Sequence, residues 1–168
     1  MTELEKRLHR CCFTGHRPEK LQASESEICA ALEIEIRRTI NDGYRTFITG
    51  MARGVDIWAA ELVLKCRKEM GGIHLICELP HPDFEKGWRR EWQERYREVL
   101  ENAGIVKTIS SHFSMGNYQK RNEWMVDHSS RLISVYNGES GGTRNTIQYA
   151  EKRGLEVVNC RLANAWVL

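Results

Sequence analysis

Short apolar runs alternate with longer amphipathic segments along nearly the whole chain, and this alternation constrains the fold more than any other feature. We predict strands at residues 10–14, 46–49, 73–79, 105–109, 132–136 and 155–160. We predict the intervening helices at residues 24–42, 55–69, 83–102, 118–128 and 143–152. Strict alternation with continuously apolar strands indicates a parallel sheet covered by helices on both faces. The predicted fold is therefore a doubly wound, mostly parallel six-stranded α/β sheet of Rossmann-like type.

Size and charge narrow the class of protein further. A chain of 168 residues predicts a single domain spanning residues 1–168. The 25 basic and 23 acidic side chains give a net charge of only +2, which makes a nucleic-acid partner less favoured than a small-molecule one. No apolar run reaches the roughly 18 residues of a membrane helix, and the charged start has no signal-peptide core. We therefore expect a cytoplasmic protein with no membrane partner.

The six cysteines give no sign of metal or redox chemistry. No Cys-x-x-Cys pair occurs, and no cysteine–histidine pair recurs at a zinc-ligand spacing. Cys11, Cys12, Cys77 and Cys160 lie inside apolar runs, where a thiol behaves as a small hydrophobic side chain. We predict no metal site.

Chemistry is expected in the turns that follow the strands, because ligands of such sheets bind beyond the carboxyl ends of the strands. These turns are residues 14–18, 49–56, 78–83 and 137–143, and three of them combine glycine with hydroxyl or cationic side chains. Glycine lets a backbone approach a ligand closely, helix N-termini favour anions, and arginine binds phosphate through two hydrogen bonds. The predicted ligand- and phosphate-binding residues are Thr14, Gly15, His16, Arg17, Gly50, Arg53, Gly54, Asp56, Arg121, Gly141, Gly142 and Thr143.

Several of these motifs are similar to those of known families. Residues 49–56, Thr-Gly-Met-Ala-Arg-Gly-Val-Asp, resemble a segment of DNA-processing protein A, as does the turn at residues 13–17. Residues 121–143 resemble the segment of the Lonely Guy phosphoribohydrolases that runs into Pro-Gly-Gly-x-Gly-Thr. Both families belong to the SLOG superfamily of Rossmann-like proteins. Within it, Thr-Gly-His-Arg-Pro at residues 14–18 and Arg-Asn-x-x-Met-Val-Asp at residues 121–127 resemble the YspA/YoqJ-like family most.

This resemblance implies a pocket for a nucleotide-derived ligand, and it implies less about a reaction. Arg121 matches the arginine of the Lonely Guy motif, but neutral Asn145 stands where that motif has its glutamate. A carboxylate from elsewhere would have to replace it, and the candidates are Glu139, Asp56 and Glu78. Each has a simpler role open to it: a solvated loop charge for Glu139, a helix-start stabiliser for Asp56 and an arginine partner for Glu78. Arg121 itself can also serve only as the salt-bridge partner of a helix neighbour.

An aromatic stripe runs along the predicted fourth helix. Phe84, Trp88, Trp92 and Tyr96 recur every four residues, a spacing that favours a core-facing stripe over a ligand platform. The sequence leaves open whether the stripe is core, a lid over the pocket or an interface. The apolar residues 166–168 are expected to dock on the body or on a partner.

Three functions remain after these considerations. The favoured one is a sensor or regulator that binds a nucleotide or nucleotide-derived molecule and needs no obligatory cofactor. The second is a phosphoribohydrolase or N-glycosidase acting on a nucleoside monophosphate. The third is a single-stranded DNA-binding module. A homo-oligomer is compatible with each.

Overall fold

The computed structural model describes residues 1–162 as an open α/β sandwich. The strands are β1 Arg10–Gly15, β2 Thr46–Thr49, β3 His74–Leu79, β4 Ile105–Thr108, β5 Arg131–Val135 and β6 Glu156–Asn159. The helices are α1 Glu3–Arg7, α2 Glu25–Asn41, α3 Val55–Met70, α4 Arg90–Asn102, α5 Gly116–Asp127 and α6 Gly142–Lys152, with a short 3-10 helix at Pro18–Lys20.

The six strands form one sheet in the order β4-β3-β2-β1-β5-β6, and every neighbouring pair is parallel. This confirms the predicted doubly wound, Rossmann-like fold. The chain builds outward from β1 through β2 and β3 to β4, and then returns to place β5 on the other side of β1. The direction of winding therefore reverses between β1 and β5, and ligands of such sheets bind at the carboxyl ends beside this switch point.

Each face of the sheet has its own hydrophobic core. Helices α2, α3 and α4 pack side by side on one face, and α5 and α6 pack on the other. On the first face the rings of Phe13 and Phe47 stack with centroids 5.9 Å apart. Adjacent Cys11 and Cys12 belong to opposite cores, as the alternation of side chains along a strand requires. Cys12 is fully buried among apolar side chains, as predicted for a thiol that packs as a small hydrophobic group, and burial raises its pKa to about 12.

The predicted fourth helix is too long. It begins at Arg90 and not near residue 83, because Arg89 is extended (φ −60°, ψ 151°) and Asp83 is left-handed (φ 59°). Neither conformation continues a right-handed helix, so residues 83–88 form turns. Phe84 and Trp88 therefore lie on a turn segment, and only Trp92 and Tyr96 share a helix.

The ends and edges of the chain differ from the predicted elements in other ways. Helix α1 was not predicted, although Thr2 and Glu5 form a reciprocal capping box at its start. All four residues of β4 are exposed, because β4 is an edge strand and not a buried one. Residues 166–168, expected to dock on the body or a partner, lie outside the described residues. In the part of the chain that the structure describes, no helix is long and apolar enough to span a bilayer.

Candidate functional site

A cleft of about 1010 Å³ opens beyond the carboxyl ends of the strands, where the sequence predicted a ligand site. It brings together four of the predicted site residues from four separate turns and helices: Arg17, Arg53, Arg121 and Gly142. Its other lining residues are Pro18, Glu19, Ala52, Phe84, Gly87, Trp88, Arg89, Glu91, Trp92, Met115 and Tyr118. The volume lies at the upper end of the range for small-molecule pockets in proteins.

Arg121 is the most constrained side chain of the cleft. It projects from α5 and is only 5% exposed, yet it lines the cavity. Its Nη1 donates to the carbonyl oxygen of Gly50 at 2.6 Å, and its Nε donates to Oδ1 of Asn122 at 2.9 Å. Within residues 1–162, its Nη2 has no hydrogen-bond acceptor. The guanidinium is therefore held in place by two bonds while one nitrogen keeps its donors free.

Gly50 is required by the position of Arg121. A Cβ atom on Gly50 would lie 2.9 Å from three atoms of the Arg121 side chain, closer than side chains pack. The adjacent Met51 is fully buried and left-handed, with φ 60°, a conformation that non-glycine residues rarely adopt. Backbone of this kind clusters at ligand sites, where the surrounding structure maintains it. Gly50 therefore belongs to the site because its missing side chain leaves room for Arg121, although Gly50 does not itself line the cleft.

Two buried carboxyl groups, Asp56 and Glu78, lie in the electrostatic field of Arg121. Burial raises the pKa of Asp56 to about 6, against the opposing effects of Arg121 and the Ala52 N–H, which donates to Asp56 Oδ2 at 3.2 Å. Burial raises the pKa of Glu78 to about 7, against the opposing charges of Lys107 and Arg121. The Oε2 atom of Glu78 has no hydrogen-bond partner within residues 1–162. Carboxyl groups perturbed in this way concentrate at functional sites.

The contacts of Asp56, Glu78, Glu139 and Arg121 show which of their simpler, structural roles the fold supports. Asp56 lies in the first turn of α3, where a carboxylate stabilises the helix start. Among residues 1–162, Glu78 has no arginine nitrogen within 4 Å, and Arg121 makes no ion pair with a helix neighbour. Neither Asp56 nor Glu78 lines the cleft. Glu139 is exposed in its loop, outside the cleft lining, and its backbone N–H donates to Asn137 Oδ1.

In the turn after β1, some residues are packed in the interior and others face the cleft. A Cβ atom on Gly15 would lie 2.5 Å from the side chain of Val55, so this glycine lets α3 approach β1. Thr14 and His16 are buried, and the His16 ring stacks on Tyr136 at 5.5 Å. Burial lowers the pKa of His16. Arg17 is the exposed residue of this turn, and it lines the cleft together with half-buried Pro18.

The turn after β2 is braced against the first turn. Arg53 donates from Nη1 to Glu19, so its charge is partly neutralised at the edge of the cleft. Gly54 has φ 96°, and a Cβ atom there would lie 2.7 Å from the ring of Pro18. Glycine is needed here for backbone geometry and close packing. Gly54 is therefore a structural residue of the site.

The third glycine turn opens α6 toward the cleft. Gly141 has φ 141°, which only glycine adopts readily, and Gly142 starts the helix and lines the cavity. The first helical hydrogen bond runs from Asn145 N–H to the Gly141 carbonyl, and no side chain among residues 1–162 caps the helix. The N–H groups of Gly142 and buried Thr143 therefore lack helical acceptors, an arrangement that favours an anion.

The aromatic part of the cleft was not among the predicted site residues. Phe84, Trp88, Trp92 and Tyr118 line it, and Tyr118 carried no signal beyond its place at the start of a helix. The spacing of Phe84, Trp88 and Trp92 favours a core stripe over a ligand platform. In the structure these three rings are only partly buried. Among residues 1–162, no three His, Cys, Asp or Glu side chains are grouped so as to bind a metal ion.

The fold and this cleft together define a Rossmann-like α/β protein with a ligand-type crevice at the carboxyl edge of its sheet. The chain belongs to the YspA SLOG family, whose model matches residues 11–159. It is 34% identical over 131 residues to the SPbeta prophage-derived protein YoqJ of Bacillus subtilis, covering 71% of this chain and 76% of that protein. A UPF0398 protein of Bacillus thuringiensis is 27% identical over 154 residues, and the match covers 87% of this chain and 84% of that protein.

Two solved structures of DNA processing protein A have the same fold. The protein from Helicobacter pylori, for which a single-stranded DNA binding mode is described, superposes with a TM-score of 0.66 at 18% identity. That match covers 98% of this chain and 70% of the other. The protein from Streptococcus pneumoniae gives a TM-score of 0.63 at 14% identity over 90% of this chain. The present chain spans about half the length of the S. pneumoniae protein (50%).

Proposed function

We propose that the cleft binds a phosphate-bearing nucleotide or nucleotide-derived small molecule, and that the protein acts as a sensor or regulator. One observation carries the proposal: Arg17, Arg53 and Arg121 line the same cavity as Gly142 at the uncapped start of α6. Arginine guanidinium groups bind phosphate through paired hydrogen bonds, and free N–H groups at a helix start add further donors. Arg89 also lines the cavity, so four arginines and a helix start surround it, and together they favour an anionic ligand.

The arginines would contribute unequally. Arg121 keeps free donors on Nη2 and is fixed by two hydrogen bonds, so it loses little conformational freedom on binding. Arg53 already donates to Glu19, and a phosphate would have to compete with that carboxylate. Arg17 is exposed and forms no ion pair within residues 1–162. Arg121 is therefore the principal phosphate-binding side chain of the proposal.

A thermal-shift screen against nucleoside mono-, di- and triphosphates, ADP-ribose and NAD tests the proposal. A ligand at 100 times its Kd adds about 2.7 kcal/mol to the free energy of unfolding. For a chain of this size, that raises the melting temperature by roughly 5–10 °C, at about 2–4 °C per kcal/mol. No shift with any of these compounds, or a shift that survives in Gly142→Asp, would contradict binding at this cleft.

The Gly142→Asp variant adds a carboxylate at the start of α6, and a Cβ atom there has no neighbour within 4 Å. It should therefore fold while repelling a phosphate. Ser26→Asp is the matched control, because it adds the same charge to an exposed position in the first turn of α2. We expect the ligand-induced shift to be lost in the first variant and kept in the second.

Binding without hydrolysis is favoured over a phosphoribohydrolase by the placement of the carboxyl groups. Asp56 and Glu78 have raised pKa values beside Arg121, as catalytic acids often do, but neither lines the cleft. Incubation with AMP, GMP, CMP or UMP is expected to release no free base. Release that disappears in Glu78→Gln or Asp56→Asn would establish the enzyme instead.

Single-stranded DNA is a second candidate ligand, favoured by the fold shared with DNA processing protein A and by aromatic and arginine side chains in one cleft. Aromatic rings beside cationic groups suit bases and phosphates of a single strand. Anisotropy of a labelled oligonucleotide tests it. Binding tighter than that of any mononucleotide, with a steep dependence on salt, would support DNA.

We also propose a cytoplasmic location, supported by the chemistry of the thiols. All six cysteines are free in the structure, as expected of a protein in a reducing compartment. Nucleotides and single-stranded DNA are both available there. An alkylation assay on protein in intact cells checks it: six free thiols after denaturation are expected, and oxidised thiols would contradict the location.

A further inference from the structure

The cleft has two chemically different sides. One side carries Arg17, Arg53, Arg121 and the start of α6, which form its phosphate-binding part, whereas the fourth arginine of the lining, Arg89, lies between two aromatic residues of the other side in the chain. The other carries four aromatic side chains, which we call the aromatic wall: Phe84, Trp88, Trp92 and Tyr118. A ligand that fills the cavity would contact both sides.

The aromatic wall is built from rings that fix one another. The Phe84 centroid lies 5.1 Å from that of Trp88, edge to face, and 5.9 Å from that of Tyr118. Behind it, Tyr96 is buried and meets Trp88 edge to face at 5.4 Å. Aromatic pairs at these distances and angles attract each other, so the wall is preorganised.

The aromatic wall is also continuous with the phosphate-binding side. The guanidinium carbon of Arg121 lies 5.6 Å from the centroid of the Phe84 ring, within the range of a cation–π contact. Phe84, Trp88 and Trp92 pack against the core but keep part of their surface toward the cavity. Gly87, on the turn between Phe84 and Trp88, is exposed and carries no side chain that would fill the cleft.

We propose that the aromatic wall stacks the heteroaromatic base of the ligand while its phosphate lies on the arginine side. This inference rests on the proposed function and narrows it, because it assigns the ligand to nucleotides with an intact base and excludes sugar phosphates and inorganic polyphosphates. Trp88 is the principal stacking residue, since it joins the ring cluster on one side and the open cavity on the other. Stacking on an aromatic ring tolerates any base, so it sets the ligand class and not the base identity.

The test compares nucleoside monophosphates with ribose 5-phosphate, which has a hydroxyl group in place of the base. Calorimetric titration measures the Kd of each nucleoside monophosphate and of ribose 5-phosphate with the full chain. The wild-type protein should bind its best monophosphate about 5–150-fold more tightly than ribose 5-phosphate, the range that one stacked base contributes. Trp88→Leu should lose that ratio, with its Kd for ribose 5-phosphate unchanged.

Trp124→Leu is the matched control for the wall. Trp124 is also partly buried, but it packs against the core on the opposite face of the sheet, where its ring stacks on His128 at 4.0 Å. This variant should keep both the ratio and the quenching of tryptophan fluorescence that base stacking on Trp88 causes. Trp88→Phe should restore most of the ratio, which separates loss of stacking from loss of folding.

The remaining outcomes are distinct. If the wild-type protein binds neither ligand, the proposed function itself is wrong and this inference falls with it. If it binds both equally, or if Trp88→Leu keeps the ratio, phosphate binding stands and the wall does not stack the base. If a short oligodeoxythymidine binds far more tightly than any mononucleotide in a Trp88-dependent way, the wall serves single-stranded DNA, and the small-nucleotide assignment is overturned.

Discussion

The two edges of the sheet both carry clefts rich in basic side chains, and they differ in how those charges are satisfied. The carboxyl edge holds the cleft of about 1010 Å³ that the arginines line. The amino edge holds a cleft of about 590 Å³ whose charged or titratable lining residues are Lys6, His9, Arg10, Arg45 and His74. Composition alone would make the amino edge an equally good anion site.

The contacts at the amino edge argue against an anion site there. Arg10 donates to Glu3 at 3.0 Å, and the Lys6 ammonium lies 3.6 Å from the same carboxylate. Arg45 donates from Nη1 to the carbonyl oxygens of Ile40 and Tyr44, at 2.7 and 2.8 Å. These three cations of the amino edge are therefore already bound to local partners.

The carboxyl edge differs in its buried charge, although Arg53 there is also paired, with Glu19. There Arg121 is buried without an ion pair within residues 1–162, and two nearby carboxyl groups titrate with raised pKa values. Burial of charges without full local compensation destabilises a fold, and proteins retain it where a ligand uses it. A site is therefore recognised by charges left uncompensated in a cavity, and not by the number of charges around it.

Replacing Arg121 should have the largest effect. Arg121→Gln is expected to weaken nucleotide binding by about 10–150-fold, because a charge-assisted hydrogen bond contributes about 1.5–3 kcal/mol. It also removes a cation that lowers the pKa of both Asp56 and Glu78, so both pKa values should rise further. Titration calorimetry measures the affinity, and Arg45→Gln at the amino edge is the control. Equal losses in the two variants would contradict the distinction between the edges.

Glu78→Gln should change how stability depends on pH. The pKa of Glu78 is about 7 in the folded protein and near 4.5 when unfolded, so the folded state holds this proton more tightly. The free energy of unfolding of the wild-type protein should therefore fall as pH rises from about 4.5 to 7. The variant should not show this fall in the free energy of unfolding. At pH 8 it should therefore be more stable than the wild-type protein, by at most about 3 kcal/mol. Urea denaturation at about pH 5 and about pH 8 measures it, and parallel pH profiles would refute the assignment.

Gly50→Ala should displace Arg121. The added Cβ atom lies 2.9 Å from the arginine side chain, and overpacking of this kind typically costs about 1–3 kcal/mol. Nucleotide affinity should fall with stability, since the guanidinium must move. Gly104→Ala is the control at the amino edge, where the new Cβ atom meets only the Leu75 carbonyl at 3.6 Å, an ordinary contact. Unchanged binding in Gly50→Ala would show that the cleft tolerates a shifted Arg121.

Glu3→Gln should have the smallest effect on the free energy of unfolding. The pH dependence that it removes should have the opposite sign to the one removed by Glu78→Gln. The hydrogen bond from Arg10 holds the pKa of Glu3 below its usual value, so the stabilisation is present at neutral pH and is lost as pH falls below about 4. Glu3 is exposed, and exposed pairs are screened by solvent. Denaturation profiles at low and high salt between about pH 3 and pH 7 should show a slight change that salt abolishes. A change as large as that of Glu78→Gln would contradict the comparison of the two edges.

The strands and their order of appearance could be predicted because they depend on local patterns. Continuous apolar runs such as residues 10–14 and 46–49 identified buried parallel strands, and the turns at the strand ends supply Arg17, Arg53 and Gly142 to one cleft. The missed start of α4 has a local cause that hydrophobic spacing does not record: Asp83 is left-handed and Arg89 is extended. The spacing of Phe84 and Trp88 continued a helical pattern across a segment whose backbone is not helical.

The candidate site was predictable in part for the same reason. Arg17, Arg53, Arg121 and Gly142 were predicted from motifs and do line one cleft. Gly15 and Gly54 were predicted as ligand contacts, but their lack of a side chain serves the packing of α3 and of Pro18. A motif shows that glycine is present, and only the neighbours show what glycine is needed for.

Local sequence was enough to establish the parallel α/β sheet and the family to which the chain belongs, and to predict the edge of the sheet at which the cleft lies. These follow from periodicity and short motifs, which are properties of neighbouring residues. Tertiary packing was needed to bury Arg121 against Gly50 and near Asp56 and Glu78, and to place Phe84 beside Tyr118 in one wall of the cleft. Burial, pKa shifts and ring contacts depend on residues distant in the chain, because desolvation and packing are set by everything that surrounds a group in space.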